Sequence, residues 1–438
     1  MSKGSFPARG FGVQSLIFAL LLAALAPPAA AAEAPLTLAE AQRRAVARSQ
    51  LLPAQDSAIA AAKEMAVASA QLPDPVLKLG VDNLPVNGAD AWSTTQDFMT
   101  MRRIGVMQEW TAGDKRDARR ARFEREADRA EVEKAISRAA LIRDTALAWL
   151  DRYYAEAAVT LIAEQAGEAQ LEIDAADVAY RAGRGTQADI FAARGARAAL
   201  AERASEARRR VISATTMLAR WIGPGADAPL ATRPEFATLP FARGQLDTQL
   251  AHHPQIAMLA EQEAVAAAEV RVAQANRDPD WSFEIAYQQR GPAYSNMMSV
   301  GISVPLPWDR ANRQDREVAA KLALVDQARA VREDMVRSHT AEVAAMLEEW
   351  ENGLERLALY GDSLLPLARE RTQAAMAAYR GGKGALSDVL SARRNELDVR
   401  RDALQLERET ARLWAQLNYL DVTPAAHAAM DVPAKDAP

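Results

Sequence analysis

The chain has 438 residues, enough for two or three ordinary domains, yet it carries no Cys, only four His, and 49% hydrophobic residues of which few are aromatic. Without Cys there is no disulfide framework, no thiolate metal centre, no Cys nucleophile and no N-terminal Cys to carry a lipid. With 53 basic and 58 acidic residues the net charge is −5, so a nucleic-acid partner held through its phosphates is not expected.

Residues 1–32 read as a secretory signal peptide. Lys3 and Arg9 precede the apolar run Leu16 to Leu25, then Pro27, Pro28 and the small residues Ala29 to Ala32, with cleavage expected near Ala32. The apolar core is about 10 residues, whereas a helical membrane span needs about 20. Removing the segment takes two basic residues and no acidic ones, so the remainder carries −7. No later stretch approaches 18 uninterrupted apolar residues, so any return to a membrane has to be made with β-strands.

Residues 33–222 read as helix, two strands, a very long helix, a turn and a helix. The Ala-rich stretch 37–71 is helical in pattern, with a break expected at Pro53. Strands are expected near 75–84 and 101–110: Leu77, Leu79 and Val81 alternate with Lys78, Gly80 and Asp82, and Ile104, Val106 and Trp110 lie on the return strand. From Gly113 to Arg181 there is no Pro, and Ile136, Ala140, Leu147, Leu150, Tyr154, Ala158 and Leu161 recur at spacings of three, four and seven, one face of a helix. That helix would span about 100 Å, and the flanking helices 37–71 and 186–220 about 50 Å each, so two short rods stacked end to end match one long one. The glycines of the turn at 181–186 suit a left-handed helix end, and Thr186 suits the cap of the next helix.

A Pro/Gly-rich linker, 223–240, is followed by a second copy over 241–421 and a tail, 422–438. The stretch Tyr180-Arg181-Ala182-Gly183-Arg184-Gly185-Thr186-Gln187-Ala188-Asp189 returns 199 residues later as Tyr379-Arg380-Gly381-Gly382-Lys383-Gly384-Ala385-Leu386-Ser387-Asp388. Ala61 to Ala70 followed by Pro73-Asp74 recurs as Ala266 to Ala275 followed by Pro279-Asp280, and Trp149 finds a partner in Trp350. The drifting offset is what loop-length changes between duplicated halves produce. Helices are expected near 244–276, 309–380 and 386–421, strands near 281–289 and 297–306, and a turn at 380–385. Trp281, Phe283, Ile285 and Tyr287 alternate with Ser282, Glu284, Ala286 and Gln288, and Met298, Val300, Ile302, Val304 and Leu306 with Ser299, Gly301 and Ser303. These strands approach the length of a tilted transmembrane β-strand, and Trp92, Trp110, Trp281 and Trp308 at their ends suit interfacial girdles. The same alternation fits soluble hairpins with one buried face. Four strands cannot close a barrel around a water-filled lumen, so a membrane barrel would need several chains.

Two copies of this unit behind a signal peptide resemble the TolC family of outer-membrane efflux channels over nearly the whole chain after residue 32. The most specific marks are the two turns, Tyr-Arg-x-Gly with Asp six residues after the Gly: Gly183 to Asp189 and Gly382 to Asp388. The resemblance implies a mostly α fold in which long coiled-coil helices form an α-barrel, continued by four strands per chain in a trimeric 12-stranded outer-membrane β-barrel. It also implies a place in the outer membrane reaching into the periplasm, without a lipid anchor. A periplasmic adaptor (a membrane fusion protein) and an inner-membrane RND-type pump would be the partners, with outer-membrane lipid around the barrel. The turns would be the periplasmic tip, where Gly183, Arg184, Gly185 and Thr186, and Gly382, Lys383, Gly384 and Ala385, meet the adaptor. Asp388 matches the first of two carboxylates that ring the closed entrance, Tyr379 a Tyr of the network holding it shut, and Asp189 the first-half Asp. Ser391 stands where the second ring carboxylate is usual, and Gly384 where an Arg is usual, with Lys383 beside it. Three copies of Asp388 around a threefold axis would form a cation-attracting constriction; the alternative is an ordinary first-turn Asp.

For cargo, Pro73-Asp74-Pro75, Asn83-Leu84-Pro85 and the stretch Asp97 to Gln108 resemble the branch serving heavy-metal pumps of the cobalt-zinc-cadmium and copper type, with a drug or organic-compound channel as the alternative. Met99, Met101, Met107, Met297 and Met298 fit soft copper(I) ligands, although methionines on strands more often pack or face lipid. His252 and His253, adjacent on the chain, read as structural, and His339 and His427 stand alone. No resident metal or cofactor is expected. No nucleophile-and-base set, phosphate loop or zinc-protease motif appears, so the chain is not read as an enzyme. A periplasmic coiled-coil adaptor or scaffold is the alternative from another class, though adaptors bracket one helical hairpin with β-rich halves.

Overall fold

The computed structural model describes residues 34–241 and 253–420. The signal segment 1–32, the tail 422–438, His252 and His427 lie outside the described residues.

Helix α1 (Leu38–Arg48) opens at Thr37, whose hydroxyl accepts the Glu40 N–H at 3.1 Å. Helix α2 (Leu51–Ser69) follows at once, so the break predicted at Pro53 falls at Ser49–Gln50. Proline in the first turn sacrifices an N–H that has no intrahelical acceptor, and the chain places it there. Strands β1 (Val76–Asp82) and β2 (Met101–Trp110) then lead into α3 (Gly113–Arg181), a single helix of 69 residues. Helix α4 (Gln187–Ile222) runs back along it.

The second half repeats the order with α5 (Pro254–Ala275), β3 (Trp281–Gln289) and β4 (Met297–Ser303). The helix predicted as one rod over 309–380 is α6 (Gln314–Leu359), a π-helical turn over Tyr360–Leu364, and α7 (Leu365–Arg380). Pro366 removes the N–H that would bond back onto residue 362, and the backbone widens just before it. β4 ends short of the predicted 306 because Pro305 donates nothing to a ladder. Helix α8 (Leu386–Asn418) completes the described chain.

Helix α3 packs along α2, α4, α5 and α8, and α6 along α5 and α8. Charges stitch α3 to α8: Arg393 reaches Glu172 at 2.7 Å and Glu168 at 2.8 Å, and Arg400 reaches Glu164 at 2.7 Å. Glu172 is buried, and desolvation holds its carboxyl above the usual range despite the opposing pull of Arg393.

The main core forms at mid-length, where the linker wraps the rods. Leu36 pairs with Leu230 as a parallel bridge, and its carbonyl accepts both the Ala231 N–H at 3.1 Å and the Trp149 indole N–H at 3.1 Å. In the other half the Trp350 indole N–H donates to the Phe236 carbonyl at 3.0 Å, and Trp414 to that of Thr238 at 2.9 Å. Trp149 and Trp350 therefore do the same work in the two copies. Arg152, buried against the linker, donates to the carbonyls of Ala226, Asp227 and Ala228. The linker is held rather than loose.

Candidate functional site

The four strands form one antiparallel sheet in the order β1-β2-β3-β4, so the two halves meet along β2 and β3, from Arg102 opposite Gln289 to Trp110 opposite Trp281. Alternation sorts the side chains by face. One face carries Leu77, Leu79, Ile104, Val106, Phe283, Ile285, Tyr287, Met298, Val300 and Ile302, all exposed; Leu79 is 70% and Val300 72% accessible. Arg102, Gln289 and Gln108 bound this face towards its ends, and the apolar band between them is far beyond the scattered exposure of a water-soluble surface. The opposite face carries Gly80, Gly105, Ala286, Ser299, Gly301 and Ser303 around a charged cluster, in which Lys78 meets Glu284 at 2.6 Å and Arg103 contacts both Glu284 and Asp82. Trp110 and Trp281 sit side by side at the end of the sheet nearest the helices.

At the far end of the rods the two turns superimpose in their hydrogen bonds. The N–H groups of Arg184 and Gly185 both donate to the Ala179 carbonyl, at 2.9 and 3.1 Å, and those of Lys383 and Gly384 to the Ala378 carbonyl at 2.9 and 3.1 Å. Gly183 and Gly382 take φ of +71° and +70°, the left-handed region that glycine enters without cost. A Cβ on Gly384 would lie 3.1 Å from that of Ala378, so this glycine also allows the turn to close on its helix.

Asp189 completes a capping box: it accepts from the Thr186 N–H at 2.8 Å, and its own N–H donates to the Thr186 hydroxyl at 3.2 Å. Asp388 makes only half of it, accepting from the Ala385 N–H at 3.3 Å, because alanine has no oxygen to return. Both carboxylates thus serve helix N-termini. Asp388, Lys383 and Ser391 are exposed. Tyr379 packs with Ile190, Leu386 and Val389 in a small core joining the two turns, and burial, seconded by the Asp189 carboxylate, pushes its hydroxyl above the usual range. The structure therefore brings Tyr379 and Asp189 together across the two halves, while Asp388, Lys383 and Ser391 point to solvent from a single chain.

Sequence reasoning missed two features. His253 is buried, caps α5 by accepting the Gln255 N–H at 3.3 Å, and stacks obliquely on His339 with ring centroids 4.3 Å apart. Burial first, then His339 and Arg143, holds His253 down at about 4. The second feature is a groove of about 850 Å³ between α4 and α8 over α3, with Leu161, Met217, Trp221 and Leu404 in its floor and arginines along its rim. The methionines singled out for copper are divided: Met101, Met107 and Met297 lie on the polar face, Met298 on the apolar one, and Met99 in the loop between β1 and β2. Among the described residues no group of three or more His, Cys, Asp or Glu is placed to hold a metal ion.

A family model described as outer membrane efflux protein matches residues 246–421, most of the second copy. The outer-membrane channel OprN is similar over 87% of this chain and 89% of its own, with 19% identity and a TM-score of 0.72. CusC, described as forming a transmembrane channel, is similar over 87% and 91%, with 16% identity and a TM-score of 0.73. The outer-membrane protein VceC of Vibrio cholerae is similar over 87% and 95%, with 19% identity and a TM-score of 0.71. This is the fold of an outer-membrane channel. No curated protein matches the sequence. Within the outer-membrane channel fold the apolar sheet face and the paired tip turns stand at opposite ends of the helical rods.

Proposed function

We propose that the chain is the outer-membrane channel of a tripartite efflux system, a transport duct and not an enzyme. It sits in the outer membrane by its strands and extends into the periplasm by its helices. The observation that carries this reading is the sheet, with an exposed apolar band across one face and a polar opposite face, continued by rods about 100 Å long. Lipid has no hydrogen bonds to offer the free edges of β1 and β4, so they have to be paired. Three chains joined edge to edge give 12 strands, the trimer that also surrounds the rods with copies of themselves. Separating membranes and assaying heat-resistant oligomers tests this. The protein should sediment with outer membrane and run as a trimer before boiling; release by osmotic shock as a monomer would instead make it the soluble scaffold.

At the tip, Gly183, Arg184, Gly185, Thr186, Gly382, Lys383, Gly384 and Ala385 form the proposed docking surface for a periplasmic adaptor fed by an RND-type pump, and Asp388, Asp189, Tyr379, Ser391 and Lys383 the proposed gate. The trimer would bring three Asp388 carboxylates, solvent-exposed in one chain, around a common axis.

Heavy-metal cations are one cargo, supported by the likeness of the strand segments to metal-exporting channels. Passage through a duct needs no metal ligand in its wall, so sensitivity of a deletion strain to cobalt, zinc, cadmium and copper is the test. A second cargo class, organic compounds, is favoured by the arginine-rimmed groove.

A further inference from the structure

The groove lies on the other side of α3 from the linker. Arg152 and Glu156 face the linker collar, whereas Asp144, Asp151, Ala155 and Ala158 face the groove. In the trimeric duct proposed above, the collar would face the periplasm and the groove the lumen.

Its chemistry is two-part. The floor is hydrocarbon and aromatic, and its volume of about 850 Å³ is that of a site for a drug-sized molecule. The rim carries Arg203, Arg209, Arg210, Arg401, Arg408 and Arg412 against three lining carboxylates, Asp144, Asp151 and Glu206. Asp151 is shared by two of these arginines, Arg408 at 3.0 Å and Arg412 at 2.5 Å, so guanidinium donors remain over. Arg210 is taken by Glu206 at 2.6 Å, Arg401 by Asp402 at 3.1 Å, and Arg203 sits at 3.6 Å from Asp398. Arg209 has no acidic partner among the described residues. Guanidinium groups beside apolar surface are weakly hydrated and bind carboxylate, sulfonate or phosphate oxygens in a fork.

We infer that this groove is a lumenal binding site for amphipathic organic anions, with the apolar body against Met217, Trp221 and Leu404 and the anionic head among Arg209, Arg408 and Arg412. It deepens the duct reading by naming a cargo class, and rests on that reading for its place in transport, while the binding itself is testable separately.

The probe is 1-anilinonaphthalene-8-sulfonate, titrated by calorimetry into the full-length protein in detergent, with uncharged N-phenyl-1-naphthylamine as its neutral counterpart. The expected result is saturable binding of the sulfonate at about one per chain, weakened about tenfold by Arg209→Glu with Arg408→Glu, and weak binding of the neutral probe that the variant leaves unchanged. Arg209→Gln, which breaks no ion pair, should alone weaken the sulfonate about threefold and guards against a folding defect in the double variant. Equal sulfonate affinity in wild type and Arg209→Gln, or equal affinity of wild type for both probes, overturns the site. A preparation that conducts in bilayers without binding the sulfonate overturns the groove alone; one that binds it without conducting overturns the duct and leaves the groove standing.

Discussion

Two kinds of information decide what single residues do here. At the tips the glycine spacing announces the turn, and the structure supplies the reason: φ near +70° at Gly183 and Gly382. Gly382→Val should cost about 1–2 kcal/mol locally and, if the docking proposal holds, weaken adaptor binding, read as loss of pump-dependent resistance at normal protein level. Asp388 has two possible duties, charge at an axis and cap of α8, which Asp388→Asn separates. Asparagine keeps a capping oxygen and drops the charge. If the gate reading holds, the variant should show larger single-channel conductance and weaker block by divalent cations; block like that of wild type assigns Asp388 to the cap alone. The His253–His339 contact left no trace in the sequence, because the two rings are 86 positions apart and meet only when α5 lies on α6. Its consequence is a pH dependence. His253 stays neutral in the fold down to about pH 4, whereas in the unfolded chain it takes up a proton near 6.5. Stability is therefore full above about pH 6.5 and falls as the pH drops towards 4, by about 1.4 kcal/mol per pH unit and per chain. His253→Asn, which retains a cap acceptor, should flatten that slope in denaturant titrations.

Among elements, the apolar stripe and the lack of proline made the 69-residue α3 readable from end to end, and the alternation did the same for β3. What misled was proline: at 53 it opens a helix instead of breaking one, and at 366 it distorts a rod that its surroundings keep helical. Local propensity fixes what proline cannot do, while neighbouring helices decide which remaining option is taken. The pairing of Trp149 with Trp350 was visible as a spacing, yet their shared duty, an indole N–H holding the wrapped segment, needed the third dimension. Trp350→Phe should cost about 1–3 kcal/mol, because the buried Phe236 carbonyl loses its donor, and Trp149→Phe less, because the Leu36 carbonyl keeps the Ala231 N–H. The two sites lie in different copies, so the costs should add in the double variant. Chemical denaturation of the detergent-solubilised protein measures both.

For the whole molecule, the charge balance spoke against a nucleic-acid partner, the lack of Cys against thiol chemistry, and segment lengths implied a body far longer than a globular core. The proposed assembly is legible only as a deficit: four strands with two free edges. The apolar sheet face gives the decisive measurement. Val300→Lys and Leu79→Lys place an amine where lipid is expected, and each should cost about 2–4 kcal/mol and deplete the outer-membrane trimer. On a soluble hairpin, residues as exposed as these would accept lysine with little effect, so normal trimer yield would sink the barrel. Finally, the two rods of each subunit are mechanically unequal. The first is an unbroken strut; the second is jointed by one loose wind at 360–364, with Gly361 free of neighbours on its outer side. Any bending that widens the tip should concentrate at that joint, swinging α7 and α8 while the strut stands still. Amide exchange along the second rod should be fastest there, with no counterpart midway along α3.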